Sequence, residues 1–164
     1  MRKENVVAEK VFMFRNHFSL LEIEPVFNIN FDELEKKYIE LSKTDINKGK
    51  SKNMKSINKA YQVLKSPLKR AEHLLDLFGV KIQENHTNSE ILNESIEIRE
   101  YLLDCDNLQF ASKIIDEKIK NCTKNLIDAF AVKNFDEAVM QVLRLKYLYK
   151  SFEEVKKNAS NSSL

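Results

Sequence analysis

A chain of 164 residues, 43% of them apolar, can bury a core as one large domain or two small ones. Only two glycines (Gly49, Gly79) and two prolines (Pro25, Pro67) interrupt it, which argues for an all-α fold and against β-hairpins, phosphate-cradling loops and dinucleotide folds. The formal charge of +2 conceals two segments of opposite sign: residues 43–70 carry eight lysines and Arg70 against Asp45 alone, while residues 89–106 carry six acids against Arg99.

One basic and one acidic region suit two partners, or one partner met in two places; two ordinary solvated faces would give the same pattern. Cys105 and Cys122 lack C-x-x-C spacing, and His17, His73 and His86 are scattered. No metal site, cofactor site or catalytic constellation is therefore expected, and the cysteines read as buried free thiols of a reducing compartment. No apolar run is long enough for a signal peptide or membrane helix, and acids among the first ten residues argue against a transit peptide. The expectation is a cytoplasmic protein with no membrane contact.

Residues 1–13 read as a flexible leader. Phe14 to Glu24 reads as a short helix or ordered turn closed by Pro25, and Val26 to Asn30 as an extended connector. Asn30 and Glu33 form a capping-box-like start for a helix with Leu34, Tyr38 and Leu41 inward and Lys36, Lys37 and Lys43 outward. Thr44 to Lys52 is polar, charged and glycine-containing, and is expected to be a loop. Met54, Ile57, Tyr61 and Leu64 share the face of the next helix. Ser66 ends it and can N-cap another, with Pro67 at the first helical position and Leu68, Ala71, Leu74, Leu75 and Phe78 as its apolar face. Gly79 is the C′ residue.

Val80 to His86 reads as a linker. Thr87 and Glu90 open a helix to about Cys105, which Asp106-Asn107 breaks; a long helix follows from Leu108 to Phe130. Asn134 and Glu137 start the last helix, ending before a disordered tail over residues 158–164. The expected layout is a small helical domain over residues 14–79 and a bundle of three long helices over 80–157.

The helix opening at Glu90 has two apolar stripes. At about 100° per residue, Glu90, Glu94, Glu97, Glu100 and Asp104 share one side. Ile91, Ile98 and Leu102 gather at about 100° from Glu90, and Leu92, Ile96 and Leu103 at about 220°. One stripe suffices to join a bundle. The other, beside the acids, has the make-up of a partner face, apolar anchors with a charged rim; two core stripes and a solvated acidic side would satisfy the periodicity equally. The basic stretch lacks aromatics interleaved for base stacking, so it is no nucleic-acid module, although its lysines could contact phosphates non-specifically.

Several segments resemble one family in order. Ser56-Ile-Asn-Lys-Ala-Tyr-Gln-Val-Leu-Lys-Ser-Pro-Leu-Lys-Arg-Ala-Glu-His-Leu-Leu75 resembles the end of the J-domain in HscB-type co-chaperones of iron–sulfur cluster assembly. Phe18-Ser-Leu-Leu-Glu-Ile-Glu-Pro25 is similar to that family's opening YF-x-L-L-G-L-P, and Phe27 to Tyr38 to its connector and second helix. Ser95-Ile-Glu-Ile-Arg-Glu100 and Leu143-Arg-Leu-Lys-Tyr-Leu148 are similar to its L-E-L-R-E and K-L-R-F-L runs.

The resemblance implies a non-enzymatic co-chaperone, at most a regulator of a partner ATPase, with two partners. It implies that an IscU-type scaffold binds Leu92, Ile96, Glu97, Glu100, Asp104 and Tyr147. It implies that a DnaK/HscA-like chaperone ATPase contacts Lys36, Lys37, Lys43, Lys69, Arg70 and the positions matching the family's His-Pro-Asp loop. Those positions hold Ile46, Asn47 and Lys48, and no His-Pro-Asp occurs in the chain. A degenerate helical adaptor, or a weak nucleic-acid binder using residues 43–70, is the alternative.

Overall fold

The computed structural model describes residues 16–47, 53–83, 89–104 and 108–161, and every regular element among them is a helix. The chain separates into two units, Met1–Gly79 and Val80–Leu164. The expected leader over residues 1–13, Lys48, His86, the Thr87 cap, Cys105 and the break at Asp106-Asn107 lie outside the described residues.

The first unit starts with a single turn, α1 (His17–Leu20). Asn16 caps it: its Oδ1 accepts from the backbone N–H groups of Phe18 at 3.0 Å and Ser19 at 3.4 Å, donors that a helix start otherwise leaves open. From Ile23 to Asn30 the chain is non-helical, and Phe27 and Ile29, two apart, enter the core while Val26, Asn28 and Asn30 face solvent. Asn30 Oδ1 then accepts from the N–H groups of Asp32 and Glu33 and opens α2 (Phe31–Asn47). Leu34 is buried, and Tyr38 stacks on Tyr61 with centroids 4.3 Å apart while its hydroxyl donates to Asn58. These contacts hold α2 on α3 (Met54–Lys65).

α2 runs farther than its composition suggests. Thr44 to Asn47, expected in a loop, continue the helix. The Thr44 hydroxyl donates to the Glu40 carbonyl, and Asp45 lies buried with Ser42. Ser66 separates α3 from α4 (Pro67–Leu77), with its Oγ accepting from the Lys69 N–H and Pro67 in the first turn. Gly79 closes the unit at φ 73°, where a side chain would be strained. Ile57, Ala60, Leu64, Ala71, Leu74 and Leu75 form the seam between α3 and α4, the larger of them contributing about 1.5–3 kcal/mol each. Phe78, expected on that face, is exposed; it is the C-cap residue, already past the last helical turn.

In the second unit α5 (Ser89–Leu103) and α6 (Leu108–Ala131) both pack along α7 (Phe135–Asn161). Ile91 and Leu102 of α5, Ala111, Ile115, Leu126 and Ala129 of α6, and Ala138, Val142, Leu145 and Leu148 of α7 are buried. Lys133 turns the chain between α6 and α7 at φ 55°, and the Asn134 N–H returns to the Ala129 carbonyl at 2.8 Å. Asn134 Oδ1 accepts from the Glu137 N–H and caps α7, as its spacing predicts. α7 continues to Asn161, past the expected end at residue 157, since no glycine or proline stops it.

Candidate partner-binding faces

α5 keeps one apolar stripe inside and leaves the other out. Ile91 and Leu102 are buried and Ile98 packs beside Leu102, while Leu92 is 42% exposed, Ile96 45% exposed and Leu103 more exposed still. Three ion pairs to α7 accompany this rotation: Arg144 Nε meets Glu94 at 3.0 Å with its Nη2 3.5 Å from Glu90, and Arg99 Nε meets Glu154 at 3.4 Å. Glu97, Glu100 and Asp104 are exposed, so five of the six residues assigned to the scaffold lie in solvent, four on α5 and Asp104 just past its end. Tyr147 differs. It sits half-buried on α7 beside Leu148, in the seam that α5 closes with Ser95 and Ile98. Tyr101, absent from the sequence-based set, is also exposed on α5. Its place on the helical wheel, about 20° from Glu90, falls within the acidic stripe and hid it.

On α2, Lys36, Lys43 and Ile46 are exposed, with Ile46 at 67%. Ile39 belongs with them; it lies three residues after Lys36 and seven before Ile46, and is exposed. The sequence-based set did not include it. Lys37 is tied to Glu22 at 2.6 Å, and this hydrogen bond raises its pKa. Ile46 and Asn47 belong to the last turn of α2 rather than to a loop. Lys69 is exposed on α4.

Arg70 requires a correction. Expected at a partner contact, it is 3% exposed. Its guanidinium donates to the Leu64 carbonyl and lies over the rings of Phe27 at 4.8 Å and Phe31 at 5.2 Å. The cation pins the connector and the start of α2 to α4, and it is unavailable to a partner.

His17 and His73, scattered in sequence, meet in the first unit with ring centroids 4.5 Å apart. Burial, then the neighbouring His73 and Lys59, lower the His17 pKa to about 4, and burial lowers that of His73. Burial pushes the Cys122 thiol up, away from reactive thiolate. Among the described residues no group of three or more His, Cys, Asp or Glu is placed to hold a metal ion, and no helix is long and apolar enough to cross a membrane.

A family profile described as "HSCB C-terminal oligomerisation domain" matches residues 87–156. The chain is 30% identical over 159 residues to the "Co-chaperone protein HscB homolog" of Neisseria meningitidis, covering 85% of this chain and 96% of that protein. It is 27% identical over 158 residues to the "Iron-sulfur cluster co-chaperone protein HscB homolog" of Arabidopsis thaliana, covering 87% of this chain and spanning 63% of that relative's length. Among solved structures, human co-chaperone HscB matches with a TM-score of 0.74 at 26% identity, over 88% of this chain and 82% of that one. Chaperone HscB from Vibrio cholerae matches with a TM-score of 0.72 at 25% identity, over 89% and 98%.

Proposed function

The chain belongs to the HscB family of co-chaperones, and from that premise we propose that it assists iron–sulfur protein maturation by association, as a regulator of a partner ATPase at most. In this reading an IscU-type scaffold covers Leu92, Ile96, Glu97, Glu100 and Asp104, with Tyr147 at the edge of the contact. Lys36, Ile39, Lys43 and Ile46 dock a DnaK/HscA-like chaperone ATPase, and holding both partners raises their effective concentration. A cytoplasmic location is part of the reading. The observation that carries it is the pair Leu92 and Ile96, left in solvent on a helix whose other apolar stripe already fills the core.

Without a His-Pro-Asp tripeptide, the contact with the ATPase is proposed as docking rather than stimulation. The test is chaperone ATPase turnover with scaffold present, with and without this protein, beside a scaffold pull-down. Scaffold capture without acceleration is expected. Acceleration would refute the docking-only assignment, and failure of both would overturn the proposal.

The exposed Lys43, Lys55, Lys59, Lys65 and Lys69 support a second reading, an adaptor that meets nucleic-acid phosphates. Nucleic-acid binding that weakens steeply with salt, and is lost in Lys55→Ala/Lys59→Ala, would favour it.

A further inference from the structure

The two apolar stripes of α5 are matched in size, with Ile91, Ile98 and Leu102 on one and Leu92, Ile96 and Leu103 on the other. Burying either would remove a similar apolar area from water, so the hydrophobic effect scarcely decides which of them faces α7. Yet Ile91 and Leu102 are inside, while Leu92, Ile96 and Leu103 are exposed.

The charges beside the stripes are not matched. At about 100° per residue, Glu94 lies about 60° to one side of the buried stripe and Arg99 about 80° to the other. α7 answers both flanks. The guanidinium of Arg144 reaches Glu94 at 3.0 Å and Glu90 at 3.5 Å, and Glu154 reaches Arg99 at 3.4 Å. Turning α5 by about 120° would bring the second stripe inward. That turn would point Glu94 away from α7, strip Arg144 of both carboxylates and carry Arg99 to within about 40° of the contact, where its guanidinium would lose water.

Exposed ion pairs contribute little singly. Where two apolar faces balance, a small charge term is enough to choose between them. Arg144 is the best placed to supply it: its side chain is only 20% exposed, and its two carboxylates stand one helical turn apart on α5.

We propose that Arg144 is the positioning residue of the partner face: by holding Glu90 and Glu94 it selects the rotation of α5 that leaves Leu92 and Ile96 in water. Arg144 needs no contact with the partner for this. The inference rests on the functional reading only in assigning that face to a scaffold.

The test labels the Ile and Leu methyl groups of the full-length chain with 13C and adds a soluble gadolinium chelate, which broadens methyl signals according to their exposure. In the unaltered chain Leu92 and Ile96 should broaden more than Ile91 and Leu102. In Arg144→Glu, which sets like charges together, that contrast should shrink or reverse with helix content unchanged. Adding Glu90→Arg and Glu94→Arg to Arg144→Glu should restore it. Scaffold affinity should follow the contrast, weaker by about tenfold where one molecule in ten keeps Leu92 and Ile96 outside. An unaltered contrast in Arg144→Glu, or no restoration in the charge-swapped chain, would overturn the proposal. If Arg144→Glu unfolds, Arg144→Gln takes its place, and an undiminished contrast there would overturn the proposal equally. A contrast that responds as expected, in a chain that captures no scaffold, would sustain the role of Arg144 and refute the functional reading.

Discussion

The backbone N–H of His17 donates to Nε2 of His73 across 3.0 Å, joining the first turn of the first unit to α4 over 56 positions of sequence. The bond exists only while Nε2 carries a lone pair, so it requires an uncharged His73 ring. Phe18 stacks on the His73 ring with centroids 5.8 Å apart, Lys59 of α3 acts on His17, and Asp76 of α4 acts on His73. The attraction from Asp76 favours the charged His73 ring, but burial outweighs it.

This pair predicts a direction of pH dependence. Both histidines titrate lower in the folded chain than the ordinary value of 6.5, with His17 near 4. The unfolded chain therefore binds protons first as the pH falls, and stability is present above about pH 6.5 and declines toward pH 4. Urea midpoints measured between pH 7 and pH 5, above most carboxylate titration, should fall with pH. His73→Gln keeps an acceptor but cannot charge, so its midpoint should fall less. Equal slopes for the two proteins would remove His73 as a cause.

Lys69 and Arg70 are adjacent and differ in every physical respect. Arg70→Ala removes a buried cation from two aromatic rings and a carbonyl, and should cost about 3 kcal/mol in urea unfolding. Arg70→Lys should recover little, because an ammonium lacks the planar face that stacks on Phe27 and Phe31. Lys69→Ala, at an exposed position, should stay within about 0.5 kcal/mol.

Ile91 and Leu92 make the same contrast on α5. Ile91→Ala opens a cavity beneath the helix and should destabilise by about 2–5 kcal/mol. Leu92→Ala with Ile96→Ala should leave helix content and melting nearly unchanged while lowering scaffold affinity by at least about thirtyfold in a calorimetric titration. A double variant that unfolds instead would assign both residues to the core.

Lys133 turns the α6–α7 connection with a backbone conformation that favours glycine. Lys133→Gly should raise stability by about 0.5–1 kcal/mol, the relief of the left-handed strain less the added freedom of the unfolded chain. Glu22 shares that conformation, but Glu22→Gly should gain less because it also deletes the ion pair to Lys37. Thermal melts of the two variants side by side decide this.

The features legible in the sequence are those whose physics is local. Asn30, Ser66 with Pro67, and Asn134 cap helices in the structure at the positions their spacing indicates, since a cap needs only a side chain and an N–H two or three residues on. Gly79 takes its left-handed place for the same reason. The scarcity of glycine and proline, and apolar spacings of three and four, were enough to indicate an all-helical chain.

Tertiary structure decided everything that depended on a partner far along the chain. Composition made Arg70 part of a basic surface; Phe27 and Phe31, some forty residues earlier, turned it into core. Thr44 to Asn47 had the composition of a loop, yet they extend α2, with the Thr44 hydroxyl bonded to the Glu40 carbonyl and Asp45 buried. The periodicity of α5 established that it carries two apolar stripes but was silent on which one faces inward. Packing against α7 answered that: Ile91 and Leu102 are buried, Leu92 and Ile96 remain in water, and the ion pairs of Arg144 and Arg99 are compatible with that rotation. A helix repeats its own geometry from its sequence, but the direction of its core is set by whatever packs against it.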